Sequence, residues 1–233
     1  MSPRTRRADA LAEVERDVVA CKACPRLVRW RQAAAANAPR RFRGQPYWGK
    51  PVPGIGDPGA RLLVVGLAPA AHGGNRTGRI FTGDSSGDFL FAALYRARFA
   101  NQARSVSRDD GLTLFDCWVT AAARCAPPGN RPAPSEFDRC RPFLLRELAA
   151  LDRVKVVLAL GELAFRQVLR AWDEIGRGSV VPRPVFSHGS HVALPGGVVL
   201  LASYHVSQQN TNTGRLTEAM FDAVLAEIRR ALR

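Results

Sequence analysis

RLLVVGLAPAAHGGNRTGRIFTGDSSG (residues 61–87) decides how this chain folds. After Arg61, Leu62, Leu63, Val64 and Val65 form a short apolar run of the kind that becomes a fully buried strand. Near Ser85 a helical pattern begins, with Phe89, Leu90, Ala93 and Leu94 on one face and Asp84 or Ser85 placed to cap it. Between strand and helix, residues 66–87 carry six glycines, one His, one Asn, two Arg and one Asp. The loop has the shape of a nucleotide-binding turn, yet neither G-x-x-x-x-G-K-[ST] nor G-x-G-x-x-G occurs in it. In an open α/β sheet, ligands bind in the crevice beyond the strand ends, which places a site at this loop.

The same strand–loop–helix order repeats along the chain. An amphipathic helix runs up to Cys21, and residues 40–60, rich in Gly, Pro and aromatics, read as an ordered loop or linker. A second strand falls around residues 115–125, with a helix opening at Ser135 whose Pro142 disturbs its local geometry. Strands at 155–160 and 198–203 follow, each succeeded by a helix, the second only after the polar run YHVSQQNTNTGR. This order predicts an α/β fold, a mostly parallel central sheet covered on both faces, in one domain spanning residues 1–233.

A formal net charge of +14, from 34 basic against 20 acidic residues, favours a polyanionic partner. Only Lys22, Lys50 and Lys155 are lysines, a bias that explains Arg over Lys but not the excess of basic over acidic residues. No apolar run approaches the ~20 residues of a membrane span, and no apolar stretch backs the N-terminal arginines. The expectation is a cytoplasmic protein that does not engage membranes. In that compartment disulfides are disfavoured, so the Cys21/Cys24 and Cys125/Cys140 pairs read as metal ligands suited equally to zinc or to an iron–sulfur cluster. Cys117, within an apolar run, reads as a core thiol.

If the strands are parallel, the loops after residues 66, 123 and 203 emerge on one edge of the sheet. They bring His72, Asn75, Arg76 and Asp84 together with Asn130, Arg131, His205, Gln208, Gln209 and Asn210. His188 and His191, in SHGSH, read as turn residues with ordinary hydrogen bonds. No nucleophile elbow and no carboxylate pair for glycoside chemistry of the usual kind is present. What remains is a pocket of backbone and Asn amides, one acid and one His, able to hold a flat heterocycle and stabilise negative charge on it.

Residues 66–87, RCAPPGNRPAPSEFDRC (124–140), SYHVSQQNTNTGRLT (203–217) and YWGKPVPGIGDP (47–58) together resemble the family 5 (type b) uracil-DNA glycosylases. The resemblance covers most of the chain, from the first cysteine pair to the last helix. It implies a three-layer αβα sandwich and a [4Fe–4S] cluster held by Cys21, Cys24, Cys125 and Cys140. It further implies a monomeric, monofunctional base-excision repair enzyme that flips uracil, and also deaminated purines such as hypoxanthine and some modified pyrimidines, out of damaged DNA.

Carried onto this sequence, the resemblance makes His205 the donor to the leaving base and Asp84 the residue that handles the attacking water. Asp84 takes that role because Ala68 stands where other branches keep a polar group, although the same Asp is placed to be only a helix cap. Phe81 becomes the stacking surface, Asn130 a further active-site residue, and Gly66, Leu67, Ala68 and His72 the remaining base contacts. Ala121, at a position where a related branch reads the base with Asn, fits relaxed base selection. Gln208, Gln209 and Asn210 would enter the DNA, with Arg76, Arg79 and Arg215 on phosphates. The rival expectation is a non-catalytic iron–sulfur protein of the same fold that only binds damaged DNA.

Overall fold

The structure, a computed structural model, describes residues 1–176 and 178–233. Four parallel strands form its centre: β2 (Leu62–Gly66), β3 (Cys117–Ala121), β4 (Val156–Leu160) and β6 (Val198–Ser203). Their order is β3-β2-β4-β6. Two short antiparallel strands close the edges, β1 (Ile55–Gly56) on β3 and β5 (His191–Leu194) on β6. Both edge strands fall in segments whose sequence shows no strand pattern of useful length.

Alternation along the central strands divides the core into two layers. Leu62, Val64, Val119 and Leu158 point to one face, packing with α4 (Ser85–Arg96) and α8 (Glu218–Ala231) through Leu90, Leu94, Phe221 and Leu225. Leu63, Val65, Val157 and Ala159 point to the other, against α5 (Pro134–Ala150) and α6 (Glu162–Glu174) through Leu144, Leu148, Phe165 and Trp172. Helix α1 (Pro3–Ala20) adds Leu11 to that second layer. This is the expected three-layer αβα sandwich. Helix α5 passes through Pro142 without a break and starts at Pro134, where Glu136 accepts the Ala133 N–H at 2.7 Å.

Helix α2 (Pro25–Ala36) follows the first cysteine pair and buries Leu27, Arg31 and Ala34. Two further short helices, α3 (Gly74–Thr77) and α7 (Gln208–Asn212), lie within the first and last of the polar loops. Adjacent strands send their chains to opposite faces: β2 leads to α4 on one side, β4 to α6 on the other. That divergence opens a crevice at the C-terminal ends of β2 and β4.

Candidate active site

The crevice holds a cavity walled by three of the loops that follow the parallel strands and by the first turn of the helix that follows the fourth. Leu67, Ala68, Phe81 and Asp84 come from the loop after β2, Asn130 from that after β3, and His205 from that after β6. Leu163, on the first turn of α6, completes the wall. Sequence reading missed the β4 loop because it is only one residue long. Its Gly161 has φ +91°, and a β-carbon there would stand 3.1 Å from that of His205, so glycine lets the last loop close over the fourth strand.

Phe81 is buried and has φ +51°, a left-handed conformation that a bulky residue rarely adopts. Two glycines hold it there. A β-carbon on Gly66 would sit 2.5 Å from the Phe81 ring, and one on Gly87 would sit 1.9 Å from its carbonyl oxygen. Strain of this kind costs about 1–3 kcal/mol and persists where the surroundings over-determine it, typically at functional sites. Gly66 therefore lies beneath the ring and makes room for it rather than lining the cavity. The Phe81 ring faces His205, with centroids 6.4 Å apart.

Asp84 is the N-cap of α4, its Oδ1 accepting the Gly87 N–H at 3.0 Å, and it also lines the cavity. The cap and the site position coexist in one side chain. Burial pushes its carboxyl above the ordinary range, only partly offset by backbone N–H groups of Gly87 and Ser86. Burial pulls the His205 imidazole down to about 4, so it is neutral at physiological pH. A neutral imidazole donates a hydrogen bond without bringing a charge into the pocket. The Asn210 side chain donates to the His205 carbonyl oxygen at 2.8 Å and fixes the backbone that carries the ring.

Several expected contacts are placed elsewhere. Arg79 is no phosphate contact: it is 5% exposed, ion-paired to Asp110 at 2.6 Å and bonded to Ser105 and Thr82. Burial works against the Asp110 charge, but Arg79 and neighbouring backbone N–H groups outweigh it and hold the carboxyl at about 2. Arg76 is spent on the loop itself, donating to the carbonyl oxygens of His72 and Gly83. His72 lies outside the Phe81 cavity, in an adjoining groove beyond Asp84, with its Nδ1 3.0 Å from the Tyr47 hydroxyl. Asn210 is turned inward to His205, and Arg215 lies over the Tyr204 ring. Gln208 and Gln209 are exposed on α7 at the cavity rim, while Val206 beneath them is fully buried. Asn130 is exposed at the same rim with φ +56°. His188 accepts the Tyr204 N–H, and His191 pairs with Glu227, as turn and edge residues.

Cys21, Cys24, Cys125 and Cys140 line one small cavity together with Arg31, Arg124 and Arg139. Arg31, itself buried, donates to the Cys125 sulfur at 2.9 Å. Burial pushes the Cys125 thiol up to about 12 and raises Cys24 and Cys140 as well. Among the described residues, no three His, Cys, Asp or Glu side chains are gathered closely enough to hold one metal ion. Cys117 is fully buried in the core, away from these four.

Residues 53–229 match the family model of the uracil DNA glycosylase superfamily. The type-5 uracil-DNA glycosylase of Thermus thermophilus is 51% identical over 213 residues, 91% of this chain and 94% of that protein. That of Mycobacterium leprae is 48% identical over 224 residues, 96% of each. A type-4 uracil-DNA glycosylase from Archaeoglobus fulgidus is 31% identical over 123 residues, about half of either chain. The chain belongs to the uracil DNA glycosylase superfamily, among its type-5 members.

Proposed function

We propose that the protein is a DNA glycosylase that hydrolyses the N-glycosidic bond of uracil flipped out of DNA. One observation carries the reading: Phe81, Asp84 and His205, from two loops, wall a single cavity at the diverging strands. The base stacks on Phe81, and the neutral His205 donates to the base oxygen on which negative charge gathers. Asp84 holds a water at C1′ of the sugar. As the water oxygen bonds to C1′, the C1′–N bond breaks, its electron pair leaves with the base, and the water proton passes to solvent.

Hypoxanthine and modified pyrimidines belong to the proposed substrate range. The support is where the amides stand: Leu67, Ala68 and Phe81 carry none, and those of Asn130, Gln208 and Gln209 are exposed at the rim, so a wrong base leaves few buried polar groups unpaired.

We also propose that Cys21, Cys24, Cys125 and Cys140 hold a [4Fe–4S] cluster. The support is that these four cysteines, brought together from separate segments of the chain, line one cavity. Three arginines there suit the thiolates such a cluster requires. The cluster would tie α2 and α5 together and take no part in the bond cleavage.

Incubating the protein with a labelled uracil-containing oligonucleotide, then with alkali, should give strand cleavage at the uracil. Intact strands would leave the non-catalytic DNA-binding reading. Parallel oligonucleotides carrying hypoxanthine test the broader range. Brown protein with bound iron and acid-labile sulfide is expected; colourless protein with zinc would refute the cluster.

A further inference from the structure

Between Asp17 and Asp57 the chain has no acidic residue, yet it carries eight basic ones. Three of these, Arg40, Arg41 and Arg43, stand exposed on a tight turn that begins with the 3-10 segment Arg40–Phe42. Among the described residues, none of the three has a carboxylate partner. Many other arginines are ion-paired, including Arg61 to Asp116 and Arg96 to Asp222. Burying or fixing these three cations is therefore not what the turn is for.

The turn is nonetheless bolted to the active-site loop. The Phe42 ring lies under the Arg76 guanidinium at 4.2 Å, and Arg76 also donates to Gln45 and to the carbonyl oxygen of Gly83, next to Asp84. The Trp48 and Gly49 N–H groups donate to the carbonyl oxygens of Arg76 and Asn75. A groove results, walled by Arg41, Phe42, His72 and Gly73. It shares Asp84, Ser85, Asn130 and Gln208 with the Phe81 cavity, and so continues it beyond Asp84.

A nucleotide bound with its base on Phe81 and its sugar at Asp84 is part of a strand, and that strand must leave the cavity. The groove beyond Asp84 gives it an exit with Arg41 in its wall, Arg40 and Arg43 on the same turn and, Asp84 aside, no acid in its wall. From this continuity we infer that the Arg40–Arg43 turn and the adjoining groove form a subsite for the backbone phosphates flanking the extruded nucleotide on one side. The inference rests on the glycosylase reading for the position of the sugar. His72 fits such a subsite as an uncharged donor: burial first, then Arg41 and Arg76, lower its pKa, and the Tyr47 hydroxyl sits on Nδ1.

The test compares two full-length triple variants, R40Q/R41Q/R43Q and R153Q/R170Q/R233Q. The second removes the same charge from exposed arginines far from the crevice. Affinity for a duplex with a non-cleavable abasic-site analogue is measured against salt. Each lost phosphate contact reduces the log–log slope by about 0.9. We expect the first variant to lose roughly 2 to 3 in slope and the control to stay near wild type. Trimming the duplex on one flank should weaken wild type more than the first variant. Equal slopes for both variants, or a trimming penalty unchanged in the first, would overturn the subsite. Uracil excision by the wild type is scored separately: its absence sinks the glycosylase reading, whereas excision with unchanged slopes sinks only the subsite.

Discussion

The carboxylate of Asp84 lies against the backbone of Gly73, so close that a β-carbon on Gly73 would stand 1.7 Å from Oδ2. On its other side Oδ1 accepts the Gly87 N–H, so the group is pinned between two glycines eleven and three residues away. We expect Gly73→Ala to drive the carboxylate out of place and slow single-turnover uracil excision roughly 100-fold, the scale of a 1 Å misplacement. A wild-type rate in this variant would show that the chemistry does not depend on the held orientation.

Asp84→Asn separates the cap from the chemistry. Asn caps a helix about as well as Asp, so α4 should be retained. Loss of the charge should lower excision by orders of magnitude while DNA affinity stays near wild type. Calorimetry and single-turnover kinetics on the same preparation check both halves; parallel loss of stability and rate would reduce Asp84 to a cap.

The pH dependence has a definite sign. Because the folded-state pKa of Asp84 is raised, its ionised form costs stability as pH rises through that value, and Asp84→Asn should be stabilised at neutral pH but not in acid. The acid limb of excision should likewise lie above the ordinary carboxylate range. His205 runs the other way: its pKa falls from 6.5 to about 4, so its contribution is present above 6.5 and lost as pH falls through about 4. Melting curves of His205→Asn across that window should show a shallower acid loss than wild type, with the Asp84 acid limb retained in whatever excision remains.

Arg124 and Glu147 form a buried ion pair at 2.5 Å with each side chain 1% exposed, and Thr120 and Trp118 also donate to the carboxylate. The pair joins the loop that carries Cys125 to the helix that carries Cys140. Glu147→Gln strands a buried guanidinium, and we expect it to destabilise the fold by about 3–5 kcal/mol. Chemical denaturation measures this; a loss under 1 kcal/mol would mean that Arg124 finds another partner.

Much of the architecture was legible because the central strands are buried on both faces and so read as unbroken apolar runs. The 198–203 strand was found with its observed bounds for that reason. Helix α2 was missed although Pro25 at its first turn and the spacing of Leu27, Arg31 and Ala34 marked it. Strand β5 was missed because four alternating residues are too few to stand out.

Within the site, the sequence determined which loops carry the unusual polar residues, and hence Asp84, His205 and Asn130, because strand ends and turn residues leave a local pattern; Phe81 entered only through the family resemblance. Only the tertiary structure decided which of those groups face the cavity. Arg79 turns inward because Asp110, thirty-one residues on, neutralises it; Asn210 turns inward to the His205 carbonyl; His72 falls beyond Asp84 beside Tyr47. Local pattern encodes burial faces and turns. Pairing and close approach are set by which distant loop packs against which, and no spacing along the chain records that.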